Sequence, residues 1–303
     1  GYHGTHFGGA SVNGNQNFRR NYEPLLPGVF HLPAPWTYRN PFGTSDGAEI
    51  AAAIGRLFED EIAFQGADTI AALIVEPVLG AGGVIVPHET FLPLMRAICD
   101  RHGILLIADE VITAFGRTGA WSGSRLWGVK PDMMSTAKAI TNGYYPFGAV
   151  MIADKVAQAF ESNKNGLGAI GHGYTYSGHP VGAAAALATL RETRRLDVAA
   201  NAGARGEELL AGLKGLQDKH ELVGDARGKG LMCAVELVSD RAKKTPAAKD
   251  VVQKVQDVAY DAGVMMRTSG ANVIISPPLI VTAGDVARIV EALDAGLTAA
   301  RAG

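Results

Sequence analysis

The chain has 303 residues, of which 47% are apolar, with 38 glycines and a formal charge of −2, proportions that fit a globular protein of one large or two ordinary domains. Near-neutral balance without a long Lys/Arg block excludes a nucleic-acid or polyanion surface as its main business. Cys99 and Cys233 are the only cysteines, which gives no disulfide framework and makes a reducing cytoplasm the default location, while no apolar run reaches the roughly 18 residues of a membrane span and the amino end lacks a signal-peptide pattern.

Up to about Asp46 the sequence is rich in Gly, Pro and Asn with little periodicity, and predicts a long loop region draped over other elements. A helix pattern runs from Ala48 to Phe64. The unbroken apolar run Ile70 to Val75 reads as a strand buried on both faces of a parallel sheet, stopped by Glu76-Pro77. Phe91 to Arg101 reads as a helix, with Leu94 and Ile98 on one side and Gly103 as its C-terminal cap. Ile104 to Ala108 is the next buried strand, ending in Asp109-Glu110. Alternating strands and helices with short connections predict an open α/β sheet, in which ligands gather at the carboxyl ends of strands; Glu76 and Asp109 both fall there.

Two more strands are expected at Met133 to Thr136 and Gly148 to Ala153, separated by Lys138 and the turn-rich Asn142 to Pro146. Pro180 to Arg195 is an Ala-rich helix leading to a second unit. After about Asn201 the pattern changes to a strand at Leu231 to Val238, a helix from Lys249 to Ala262 with Val251, Val255 and Val258 as one stripe, strands near Val264 to Arg267 and Val273 to Ser276, and a last helix after Thr282. The expected division is therefore a large domain over residues 1–200 and a small α/β domain over 201–303.

The histidines do not pair with acids or cysteines at metal-ligand spacing, so no metal site is expected. Neither a G-x-S-x-G elbow nor a G-x-x-x-x-G-K-[ST] loop is present, which removes the common hydrolase and phosphate-loop readings. Lys138 lies in the small and apolar stretch Met133 to Ile140, just past a buried strand, where a half-buried position is expected. Desolvation makes a lysine amine nucleophilic toward an aldehyde; the alternative is a strand-end lysine that snorkels to water. Asp109 would sit at the floor of a cleft, or else cap the next segment or meet an arginine.

The segment Ala108-Asp109-Glu110-Val111-Ile112-Thr113-Ala114-Phe115-Gly116-Arg117-Thr118-Gly119, followed by Ser135-Thr136-Ala137-Lys138-Ala139-Ile140-Thr141-Asn142-Gly143, closely resembles the signature of the class III aminotransferases, which use pyridoxal 5'-phosphate. Tyr2-His3-Gly4, Glu76 to Gly83, Thr175 to Pro180, and Arg267-Thr268-Ser269-Gly270 before Ser276-Pro277-Pro278-Leu279 agree with the same family in the same order, over nearly the whole chain. The resemblance implies the α/β architecture of fold type I, with a mostly parallel sheet between helices in the large domain and a smaller C-terminal α/β domain.

It also implies roles. Asp109 matches the family's pyridine-binding aspartate, and Lys138 its Schiff-base lysine and proton carrier. Tyr2 resembles the aromatic that stacks on one ring face and Val111 the aliphatic on the other, with His3 lining the same pocket. Glu76 resembles an acid near the cofactor; its alternative is a buried carboxylate tied to a local arginine. Thr175 resembles the threonine that reaches the phosphate of a neighbouring subunit's cofactor, which implies a homodimer. Arg267 lies where pyruvate-using members place the arginine that grips the substrate carboxylate, a task suited to a planar bidentate donor, its alternative being a surface role.

The implied reaction is amino transfer from an ω-amino acid or primary amine to pyruvate or a similar 2-oxo acid. The nearest rival is a 4-aminobutyrate enzyme using 2-oxoglutarate; an aminomutase or a decarboxylating aminotransferase would share the lysine and aspartate. A reading of another class is a non-catalytic α/β fragment or dimerisation scaffold. A usual family member has a further region before the Tyr-His-Gly segment, including a phosphate-cradling turn at a helix N-terminus. Against that pattern, this chain alone is expected to bind the cofactor weakly and to expose apolar surface.

Overall fold

A computed structural model describes residues 1–162, 166 and 171–301. The first 46 residues hold one short helix, α1 (Phe7–Val12), and otherwise run as extended chain and turns, as their Gly, Pro and Asn content predicts. Helix α2 (Gly47–Gln65) starts where the Asp46 side chain accepts hydrogen bonds from the backbone N–H groups of Ala48 and Glu49, at 2.7 and 3.1 Å. It leads to β1 (Ala72–Val75), then α3 (Phe91–His102), β2 (Leu105–Asp109), the single turn α4 (Gly123–Leu126), β3 (Met133–Thr136), β4 (Ala149–Ile152) and α5 (Asp154–Glu161). Gly103 ends α3 at φ 71°, the left-handed cap its position predicts.

These strands form a sheet of order β1-β2-β3-β4. The first three are parallel and β4 is antiparallel to β3. The crossover β1-α3-β2 lays α3 beside α2 over the sheet, where Ile50, Ile54, Phe58, Leu92, Met95, Ile98 and Leu106 form one buried cluster. Burial of each such side chain contributes about 1.5–3 kcal/mol, enough to fix the strand ends that the helices cover.

The second half begins with α6 (Pro180–Arg195) and α7 (Val198–Lys219), followed by β5 (Val223–Lys229), β6 (Met232–Asp240), the short β7 (Thr245–Pro246), α8 (Lys249–Asp261), β8 (Arg267–Ser269), β9 (Asn272–Ile275) and α9 (Ala283–Arg301). The sheet order is β5-β6-β9-β8, all antiparallel, with β7 paired to β6. Alternation along β6 builds two packing layers. Cys233, Val235 and Leu237 join α7, α8 and α9 in the largest core, whereas Met232 and Ala234 pack with Val78 and Val84 of the loop after β1.

Several sequence expectations shift here: β1 is only partly buried along its length and not buried on both faces, and the strand expected near Val264 to Arg267 runs over Arg267–Ser269. Helix α7 and strand β5 were not expected at all. On α8 the buried face is Val252, Val255 and Ala259, and not the stripe through Val251 and Val258, both of which are only partly buried. Among the described residues, no helix is long and apolar enough to cross a membrane.

Candidate active site

Asp109 is the last residue of β2 and is buried, 6% exposed. Its register partner on β3 is Ser135, three residues before Lys138, so carboxylate and lysine stand at the carboxyl ends of adjacent parallel strands. Neighbouring strands lie about 4.8 Å apart, which puts both groups on one rim of the sheet. The backbone N–H of Val111 donates to Asp109 Oδ1 at 3.1 Å, and His3 Nδ1 lies 2.8 Å from Oδ2. Burial alone would raise the Asp109 pKa; the hydrogen bonds from His3, Val111 and Ser135 outweigh it and hold the carboxyl below its usual range. The result is a buried carboxylate that keeps its negative charge.

The Tyr2-His3-Gly4 segment reaches this rim because Asn13 ties it down. Fully buried Asn13 accepts a hydrogen bond from the His3 backbone N–H through Oδ1 and donates through Nδ2 to the Gly4 carbonyl, at 3.0 Å. Gly9 of α1 packs so closely that a Cβ there would lie 2.7 Å from the His3 carbonyl oxygen. The half-buried Tyr2 ring meets Phe18 edge-on, 4.8 Å between centroids.

Glu76, 5% exposed, follows β1 on the same rim. Its Oε1 accepts from the Tyr2 backbone N–H at 3.3 Å, and its Oε2 accepts from the Gly80 N–H at 2.8 Å. Among the described residues it has no arginine partner, so the tie to a local arginine is replaced by backbone donors. Neighbouring Glu110 is fully buried and collects the N–H groups of Gly123 and Ser124 at 2.8 and 2.6 Å, which folds the 113–124 loop back onto β2.

Three positions differ from their sequence expectation or stand apart. Lys138 is exposed and not half-buried. It follows β3 at φ 45°, and the turn beyond it is open, with Asn142, Gly143 and Tyr144 exposed, so the small residues around it do not desolvate it within one chain. Thr175 is exposed on a turn between β4 and α6. Arg267 is exposed on β8, an edge strand of the other sheet. Asn13, Ser135 and Gly9 were not singled out from the sequence; the only signal for Asn13 is the turn composition Asn13-Gly14-Asn15.

Residues 1–297 match the family described as aminotransferase class-III. The taurine–pyruvate aminotransferase of Bilophila wadsworthia is 36% identical over 98% of this chain, and the putrescine–pyruvate aminotransferase of Pseudomonas aeruginosa is 36% identical over 96% of it. The chain spans 66% and 63% of the lengths of these two curated relatives. The crystal structure of an amine transaminase from an uncultivated Pseudomonas species, in its PLP-bound form, superposes with a TM-score of 0.96 at 47% identity, covering 100% of this chain and 68% of that one. The α/β architecture of fold type I is thereby borne out. With its motifs, its fold and its matched length in agreement, the chain belongs to the class III aminotransferase family.

Proposed function

We propose that the protein transfers an amino group from an ω-amino acid or primary amine to pyruvate or a similar 2-oxo acid, with pyridoxal 5'-phosphate as cofactor. The observation that carries this reading is the charged, buried carboxylate of Asp109 one strand away from the Lys138 amine. That donor set fits the cofactor. A persistently anionic carboxylate suits a protonated pyridine nitrogen, a primary amine suits an aldehyde, and Tyr2, next to His3 in the chain, and Val111, whose N–H bonds Asp109, would supply an aromatic and an aliphatic surface.

When bound, pyridoxal phosphate supplies an aldehyde that condenses with amines and a cationic ring that accepts electrons from the substrate carbon. Asp109 would hold the cofactor at its ring nitrogen and favour the protonated form, while His3 keeps Asp109 oriented and charged. Lys138 would hold the cofactor through its aldehyde, and its free Nζ would carry a proton as general base and then acid. Arg267 grips the carboxylate of the 2-oxo acid. Exposed Thr175 serves the phosphate site of a second copy in a homodimer.

The relatives that act on taurine or putrescine with pyruvate support the pyruvate reading. The test is alanine formation by the full-length protein from pyruvate and a panel of amines. Turnover that Lys138→Ala abolishes is expected, and turnover indifferent to that substitution refutes the proposal.

A further inference from the structure

Arg227 of β5 uses its whole guanidinium to fasten the loop after β1 to the β8–β9 hairpin. Its Nε donates to the Gly83 and Val84 carbonyl oxygens at 3.0 Å each, and its Nη2 to Gly83 O and to Asn272 Oδ1 at 2.5 Å each. Nη1 donates to Asp225 Oδ2 at 2.7 Å and lies 3.7 Å from Glu236 Oε2, while the group stacks 5.0 Å from the centre of the Trp36 ring. The side chain is only 10% exposed. With its donors committed in this way, Arg227 is not itself available to bind a substrate anion.

The sheet register shows what it holds. Arg227 pairs with Ala234, Ala234 with Ile274, and Ile274 with Arg267, so Arg227 and Arg267 occupy one cross-strand row on the same face. In the adjoining row Asn272 pairs with Ser269. The Asn272 Nδ2 donates to the Ser269 carbonyl at 3.1 Å, and the Ser269 hydroxyl donates to the Ala81 carbonyl at 3.3 Å. The loop that receives these bonds is anchored at its other end by Glu76, through the Gly80 N–H. Gly83 has no room for a side chain, since a Cβ there would lie 3.0 Å from the Asn272 amide carbon. A continuous set of hydrogen bonds thus runs from Glu76 through the 80–84 loop and Arg227 to the hairpin that carries Arg267.

We propose that Arg227 is a positioning residue for Arg267. It locks the β8–β9 hairpin against the loop after β1 and so fixes where the Arg267 guanidinium meets a substrate carboxylate. The inference rests on the reading of Arg267 as the carboxylate grip. Lysine at position 227 keeps the charge but offers no planar fork, and its single Nζ replaces donors that Arg227 spreads over three nitrogens to Gly83, Val84, Asn272 and Asp225.

The experiment measures kcat and KM of the full-length holoenzyme for pyruvate and for butanal, an acceptor without a carboxylate, in Arg227→Lys, Arg267→Gln and the double variant. Arg227→Lys is expected to raise KM for pyruvate about tenfold with kcat changed less than about twofold, and to leave both constants for butanal unchanged. The double variant is expected to be no worse toward pyruvate than Arg267→Gln alone, because both changes remove one interaction. Equal losses with both acceptors, or fully multiplicative losses in the double variant, overturn the positioning role. If Arg267→Gln leaves the pyruvate KM unchanged, the underlying reading of Arg267 fails instead. Should Arg227→Lys not accumulate as folded protein, Asn272→Asp, which keeps an acceptor for Arg227 but loses the donor to Ser269, and Asn272→Ala, which removes both hairpin contacts, are held to the same outcomes, with the larger pyruvate KM expected in Asn272→Ala.

Discussion

Replacing His3 by Leu removes the hydrogen bond to Asp109 Oδ2 while leaving that carboxyl buried. A hydrogen bond to a charged group is worth about 1.5–3 kcal/mol, and one pKa unit corresponds to about 1.4 kcal/mol. The Asp109 titration should therefore move up toward and past the usual carboxylate range, because burial then acts with less opposition. The sign for stability follows from the direction of the present shift. A carboxyl held below its usual range in the fold stabilises above the unfolded-state pKa, and that stability is lost as pH falls through the folded-state value. In His3→Leu the loss starts at higher pH. Carbon-13 carboxyl NMR of the variant reads the titration directly, and acid unfolding followed by circular dichroism reads its consequence. An Asp109 titration unchanged by the substitution refutes the claim that His3 keeps this carboxylate charged.

Gly206→Ala should destabilise the fold by about 2–4 kcal/mol in urea unfolding, because a Cβ on α7 would overlap the backbone of Gly230; a loss below about 0.5 kcal/mol would show that the helix can move away. Thr175→Ala in the full-length protein should weaken pyridoxal phosphate binding about tenfold, the loss of one charge-assisted hydrogen bond, with the oligomeric state unchanged by light scattering. Unaltered affinity would remove Thr175 from the phosphate site.

The sequence is most legible where one physical signal acts alone. Strand β3 and helix α6 begin and end at the predicted residues, the first a short run against a turn, the second an Ala-rich stretch with Pro180 at its first position. Helix α7 was illegible because Gly203, Gly206, Gly212 and Gly215 lower its apparent helix propensity. At Gly206 the cause is tertiary: the Gly230 backbone packs where a side chain would stand. Strand β5 was hidden by Asp225 and Arg227, whose polar side chains look like loop until the 80–84 loop is placed against them. On α8, valines at 251, 252, 255 and 258 satisfy two helical phases equally, and only contact with α9 and the sheet selects one.

For the site, the strand-end acids and the lysine were readable as residues at the ends of buried runs. What the sequence does not carry is the reach of Tyr2-His3 to Asp109, across 106 residues in the case of His3, and the buried Asn13 that makes it possible. The exposure of Lys138 likewise depends on which surfaces cover the turn after β3, a property of packing and not of local composition.

Lys138 itself offers the most direct test. Full-length protein mixed with pyridoxal phosphate, reduced with borohydride and digested should carry the cofactor on the peptide containing Lys138, with the label lost in Lys138→Ala and weakened in Asp109→Ala. A label found on other lysines, or one indifferent to Asp109, would contradict the account.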